Sequence, residues 1–165
     1  RPSMRNTKLA ATDIKWAERA IDLAISNVKA GGLPFSAVII NQQGQIIGEG
    51  VNQVVTQLDC TAHAEVQAIR QASQHEQSIS LQGATLIASG EPCALCYMAI
   101  LLAKISRLVI LADRHEAKAH GFDYLWTYDH FNSNTPGQLT VLKLDGDRTS
   151  LPFKLCQVRM ENTGL

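Results

Sequence analysis

Between Phe35 and Ala112 the chain alternates short apolar runs with stretches of helical periodicity, and that alternation confines it to an α/β fold. Phe35 to Asn41 reads as a buried strand. Gln42-Gln43-Gly44 is a turn, and Gln45 to Gly50 returns as the hairpin partner. Ala62 to Gln74, rich in alanine with Val66 and Ile69, reads as a helix. Ala84 to Ser89 is a third strand, Cys93 to Ala103 a further helix, and Arg107 to Ala112 a fourth strand. The opening hairpin makes the sheet mixed rather than wholly parallel.

Upstream, Ile14, Ala17, Ile21, Ala24, Ile25 and Val28 recur at three- and four-residue spacing, one face of a helix, with Gly31-Gly32 as its stop. Downstream, Arg114 to His120 reads as a short helix. Leu139 to Leu144 and Phe153 to Met160 are strand candidates, and Asn132 to Gly137 is a loop of turn formers. No repeat or low-complexity segment divides the chain. The reading is one domain over 11–165, preceded by a flexible arm over 1–10.

Composition narrows the class. Fifteen basic side chains balance fifteen acidic ones, which argues against a nucleic-acid coat or a polybasic membrane binder. Hydrophobic residues at 45% against 18% charged exclude a wholly disordered chain. Lys104 and Arg107 interrupt the longest apolar stretch, so no run reaches the roughly 18 residues of a membrane span. Arg1 to Lys8 has no apolar core of the kind a secretory signal carries, and a reducing, cytoplasmic location is expected. Cysteines there serve more often as ligands or catalysts than as disulfides.

Two segments carry the chemistry: Thr61-Ala62-His63-Ala64-Glu65 and Glu91-Pro92-Cys93-Ala94-Leu95-Cys96. Each stands at an expected helix start. A catalytic zinc takes three protein ligands and leaves one position for water, and His63, Cys93 and Cys96 supply one nitrogen and two sulfurs. Cysteines three apart at a helix start can turn toward one ion, and the helix N-terminus favours their thiolate form. Glu65, two residues after His63, can point to the water position, take a proton there and pass it to a leaving group. A lone Cys-x-x-Cys would equally suit a structural zinc or a redox pair. The preceding Pro92 and the His-x-Glu upstream favour catalytic zinc. A closed structural site needs a fourth ligand, and neither Cys60 nor Cys156 has ligand spacing. Cys60 is expected to pack beside the site and Cys156 to occupy the core within a strand.

His-x-Glu followed by Pro-Cys-x-x-Cys is the signature of zinc nucleobase deaminases. From the first helix to about Tyr128 the chain resembles the cytidine and deoxycytidylate deaminase superfamily. That resemblance implies a three-layer sandwich, a five-stranded mixed sheet with helices on both faces and one zinc between two helix N-termini. Within the superfamily the chain is most similar to bacterial guanine deaminases. The shared features are Pro34-Phe35, Asn52, the segments Thr61 to Val66 and Ala68 to Arg70, and Gly121-Phe122-Asp123. The resemblance implies that Asn52 and the backbone N–H of Ala64 contact the base and that Phe35 walls the pocket. It also implies a place in purine metabolism and a homodimer or larger oligomer.

The chain departs from that pattern at three points. Tyr124 stands where a second acid usually follows Gly-Phe-Asp. Leu95 stands where Met is usual. The expected last strand, Phe153 to Met160, leaves no room for the C-terminal helix that helps close the site. Asp123, with Tyr124, would then contact the far edge of the base. Asn52 alternatively holds a loop, Asp123 caps a turn, and Tyr124, Trp126 and Tyr128 either stack a flat base or form a half-buried segment. His115, His120 and His130 read as surface or loop residues, His120 with an alternative place at the pocket. Glu91 reads as a residue that fixes the loop.

The leading reading is zinc-dependent hydrolysis of an aminated purine base or related heterocycle by water, with guanine as the foremost candidate. The alternatives are a tRNA adenosine deaminase, a cytosine- or cytidine-type deaminase, and a zinc-stabilised binding module without turnover. Zero net charge disfavours a nucleic-acid substrate, and the intact Glu65 disfavours the inert module.

Overall fold

The computed structural model describes residues 9–130 and 139–163. Most of the expected arm and the expected loop Asn132 to Gly137 lie outside the described residues. The elements run α1 (Ala11–Lys29), β1 (Ser36–Ile40), β2 (Ile46–Val51), α2 (Val54–Gln57), α3 (Ala64–Glu76), β3 (Thr85–Gly90) and α4 (Ala94–Leu102). They continue as β4 (Arg107–Ala112), α5 (Arg114–Ala119), a 3-10 helix (Leu125–His130), β5 (Thr140–Lys143) and α6 (Leu151–Thr163).

The five strands form one sheet in the order β2-β1-β3-β4-β5. β1 is antiparallel to both β2 and β3, whereas β3, β4 and β5 are parallel. Side chains alternate across this sheet, and both faces are covered. Val38, Ile40, Ile87, Val109 and Leu111 pack under Ala17, Ala20 and Ile21 of α1. Ala37, Ile39, Leu86, Ala88, Leu108 and Ile110 pack under Ala64, Ala68 and Ala72 of α3 and Tyr97 and Ile100 of α4. Two buried faces explain why the strands read as unbroken apolar runs. The result is the expected three-layer α/β sandwich.

Details of the fold differ from the sequence reading, α2 and the 3-10 helix among them. Phe153 to Met160 is not a strand but lies in α6, so a C-terminal helix is present after all. It packs on α1, and Arg159 donates to the carbonyls of Val28 and Gly32 at 2.9 and 2.8 Å. Cys156 is buried as expected, but on this helix. Ile14 is 53% exposed, and its neighbour Asp13 is buried instead. The Asp13 carboxylate accepts from both Nη atoms of Arg107 at 3.1 and 2.8 Å, tying α1 to the start of β4.

The topology also decides where a site can form. In the antiparallel register Ala37 pairs with Ala88 and Ser36 with Val51, so the start of β1 and the ends of β2 and β3 lie side by side at one end of the strands. Phe35, Asn52 and the loop that follows Gly90 therefore converge. Gly90 itself has no room for a side chain, because a Cβ there would meet the Phe35 ring at 2.6 Å. Ser89 fixes the same corner: its hydroxyl accepts the Ser36 N–H at 2.8 Å and donates to the Pro34 carbonyl at 3.0 Å.

Candidate active site

His63 is the N-cap of α3 and Cys93 the N-cap of α4, so both motifs stand at helix starts as their sequences suggest. The closeness of α3 to the sheet is set by Gly50 on β2. A Cβ at Gly50 would meet the Ala64 carbonyl at 2.6 Å and the Ala68 amide at 2.7 Å. Small residues on both elements let the first turn of α3 lie against β2, which aims His63 toward the end of β3.

The His63 Nδ1 lies 3.5 Å from the Cys93 sulfur and 3.3 Å from the Cys96 sulfur, and the sulfurs are 3.7 Å apart. A tetrahedral zinc with ordinary bond lengths needs ligand separations of about 3.8 Å between sulfurs and about 3.6 Å between nitrogen and sulfur. The triangle therefore fits a zinc ion, and it is the group of this kind found among the described residues. The Cys60 side chain is exposed rather than packed beside the site.

Electrostatics suit a cation. The hydrogen bond from the Cys96 thiol, together with the His63 imidazole, overcomes burial and brings the Cys93 thiol down to about 4. The Cys96 thiol moves up, held by that same bond and by burial. The pair shares one proton that a metal would displace. The hydrogen bond with Cys93 outweighs burial to raise His63. Glu65, in the first turn of α3, is 4% exposed. Burial pushes its carboxyl up to about 7, against the opposing hydrogen bond with Cys96.

A cavity of about 240 Å³ opens beside this cluster. Phe35, Asn52, His63, Ala64, Glu65, Cys93 and Tyr124 line it, together with Leu33, Val54 and Glu91. Its volume lies below the roughly 300–1,000 Å³ of pockets for drug-sized ligands, so it suits a small molecule. Leu33 and Val54 escape the sequence reading because each looks like ordinary apolar filling. Phe35 is wedged edge-on against Phe122, Tyr124 and Phe153, with centroids 5.9, 5.9 and 5.2 Å away. Asn52 also holds the loop, its Oδ1 accepting the Val54 N–H at 3.2 Å.

Asp123 is not among the lining residues. It is exposed, and its carboxylate caps the Leu125 N–H at 3.1 Å. His120 lies away from the cavity, 3.1 Å from Gln157 on α6. Glu91 is buried and does fix the loop, accepting from the Tyr97 hydroxyl at 2.7 Å and from the Arg114 N–H at 2.8 Å.

A three-layer α/β sandwich with a His-Cys-Cys cluster and a buried glutamate at two helix N-termini defines the zinc nucleobase-deaminase class. Residues 10–112 match the cytidine and deoxycytidylate deaminase zinc-binding region. The chain belongs to that family and is a zinc-dependent hydrolytic deaminase. It is 43% identical over 114 residues to a guanine deaminase of Bacillus subtilis, covering 68% of this chain and 72% of the relative. It is 36% identical over 123 residues to a tRNA-specific adenosine deaminase of Haemophilus influenzae, covering 74% and 71%. The X-ray structure of a Bacillus subtilis guanine deaminase superposes with a TM-score of 0.67 at 35% identity, covering 86% of this chain and 90% of that one.

Proposed function

We propose that the chain hydrolyses a free aminated purine base, with guanine converted to xanthine and ammonia, and that Glu65 is the proton carrier. The observation that carries this reading is the small cavity that brings Glu65, the His63–Cys93–Cys96 triangle and the aromatic Phe35 wall together. His63, Cys93 and Cys96 would hold one zinc per chain, which when bound acidifies a water molecule and presents it to the ring carbon. Glu65 takes the proton of the attacking water and returns it to the departing amine, so ammonia leaves and no net proton is consumed. The first amide of α3, at Ala64, is a donor that a helix leaves without an intrahelical partner, and it meets an acceptor on the base. The Asn52 side chain reads a second polar edge, and Phe35 packs against the ring. Tyr124 closes the wall. Asp123 contributes nothing within this cavity as it stands.

A cavity of this size and a net charge of zero favour a free base over tRNA. The likeness to tRNA-specific adenosine deaminases supports the second reading, deamination of an adenosine in RNA. A homodimer accompanies the first. Leu95, Met98 and Leu102 form an exposed apolar stripe on α4, 42%, 39% and 75% exposed, next to the ligand loop. A second copy covering it would bury that stripe symmetrically. A cytoplasmic location also accompanies this reading, because free cysteines and a thiolate metal site suit a reducing compartment. Among the described residues no helix is long and apolar enough to cross a membrane.

Ammonia release from free purines, pyrimidines and triazines, run beside an adenosine-containing tRNA stem-loop, tests the proposal. Turnover of guanine without turnover of the RNA is the expected result. Turnover of the RNA alone would establish the second reading. Light scattering at micromolar concentration should return the mass of two chains.

A further inference from the structure

The ligand loop between β3 and α4 is held from outside by the 3-10 helix and the residue that precedes it. The Tyr124 hydroxyl donates to the Glu91 carbonyl at 2.7 Å. The Tyr128 hydroxyl donates to the carbonyl of Pro92. The Thr127 hydroxyl accepts the Ala94 N–H at 3.2 Å and spends its own proton on the Tyr124 carbonyl at 2.8 Å. Three hydroxyls thus take two carbonyls just before Cys93 and the amide just after it.

The loop needs this support. Pro92 has no N–H to give, and Ala94 opens α4, where the amides lack intrahelical partners. The loop's own backbone bond to the sheet runs from the Glu91 N–H to the Ala112 carbonyl at 2.7 Å, two residues short of Cys93. The hydroxyl protons of Tyr124 and Tyr128 are committed to carbonyls. Burial pushes both phenols well above their ordinary range, so they remain neutral donors. An ionised acid at position 124 could not donate to the Glu91 carbonyl. The Tyr128 ring is itself pinned, with the Arg114 guanidinium 3.4 Å above its centroid.

We propose that Tyr124, Thr127 and Tyr128 form a hydroxyl clamp that places the Cys93 sulfur, and through it sets the geometry and residence time of the bound metal. These are positioning residues, since they touch the loop and not the ion. The inference rests on the reading of His63, Cys93 and Cys96 as ligands. Supporting groups of this kind hold a site to within about 0.5 Å, and metal coordination is sensitive on that scale.

The test compares cobalt(II)-loaded wild type with Tyr128→Phe, Thr127→Val, Thr127→Ser and Asp129→Asn, reading the visible spectrum and the rate of zinc transfer to a chelator. Tyr128→Phe keeps the ring over Arg114 and removes only the hydroxyl. Tyr128→Phe and Thr127→Val should shift the thiolate-to-cobalt and d–d bands and release zinc about tenfold faster, the scale of one lost hydrogen bond. Thr127→Ser should restore wild-type behaviour. Asp129→Asn, on the exposed side of the same helix, should match wild type. Wild-type spectra and release rates in both Tyr128→Phe and Thr127→Val overturn the clamp, even where melting temperature falls, because the role is then only structural. A wild-type protein with no thiolate-to-cobalt absorption overturns the ligand reading itself, and the clamp with it.

Discussion

The Arg114 guanidinium meets the Glu91 carboxylate at 2.9 Å with their side chains 9% and 0% exposed. This ion pair joins the first residue of the loop between β3 and α4 to the residue that opens α5. Removing one member of a buried pair strands the other charge. Glu91→Gln should therefore lose about 3–5 kcal/mol of stability in urea titrations. A loss under about 1 kcal/mol, the range of a surface pair, would show that the pair is not buried in solution.

The same pair predicts a pH response. Burial pushes the Glu91 carboxyl up, but hydrogen bonds from Arg114 and Tyr97 outweigh it and the group ends below its ordinary value. A carboxyl depressed in the folded state adds stability above its unfolded pKa, about 4.3, and that stability is lost as pH falls through the folded value. The gap between wild type and Glu91→Gln should stay constant from about pH 8 to pH 5 and narrow toward pH 3. A gap that widens with acid would contradict the sign.

Gly50→Ala should loosen α3 from β2, because the added methyl meets backbone rather than a movable side chain. Overpacking of this kind typically costs about 1–3 kcal/mol. His63 moves with the start of α3, so zinc retention on dialysis should fall as well. Full stability with full zinc content would show that the helix can shift at no expense to the site.

How far the sequence reached follows from how local each signal is. His63, Glu65, Cys93 and Cys96 are legible because both motifs cap helices that the apolar periodicity already marks. Strand β4 is legible to the residue, since Arg107 to Ala112 is an unbroken apolar run behind its first residue, in a sheet covered on both faces. Phe153 to Met160 misleads because Leu155 and Val158 are apolar off the buried face and mimic alternation. The buried pair Phe153 and Cys156 is helically spaced, and Pro152 in the first turn is a helix-start signal. Tyr124, Trp126 and Tyr128 look like a strand-like alternation, yet the 3-10 turn leaves Trp126 64% exposed while Tyr124 and Tyr128 turn to the loop. The Asp13–Arg107 contact spans 94 residues and leaves no local trace.

Cys93→Ala should lower zinc from one equivalent per chain to a small fraction by elemental analysis, with His63→Ala behaving alike. The triangle of 3.3, 3.5 and 3.7 Å loses a corner in each case. Full zinc in either variant would move the metal elsewhere.

Glu65→Gln, assayed for ammonia release from guanine with zinc content measured on the same sample, separates proton transfer by Glu65 from metal binding. The side chain is buried in the cavity wall beside His63 and Cys93, and proton transfer by such a group contributes about 10²–10⁴-fold. Wild type should yield xanthine and ammonia in equal amounts, and Glu65→Gln should keep one zinc while losing at least about a hundredfold in rate. Near-wild-type turnover by Glu65→Gln would remove Glu65 from the proton path, and zinc-loaded wild type that releases no ammonia from guanine would rule out guanine deamination.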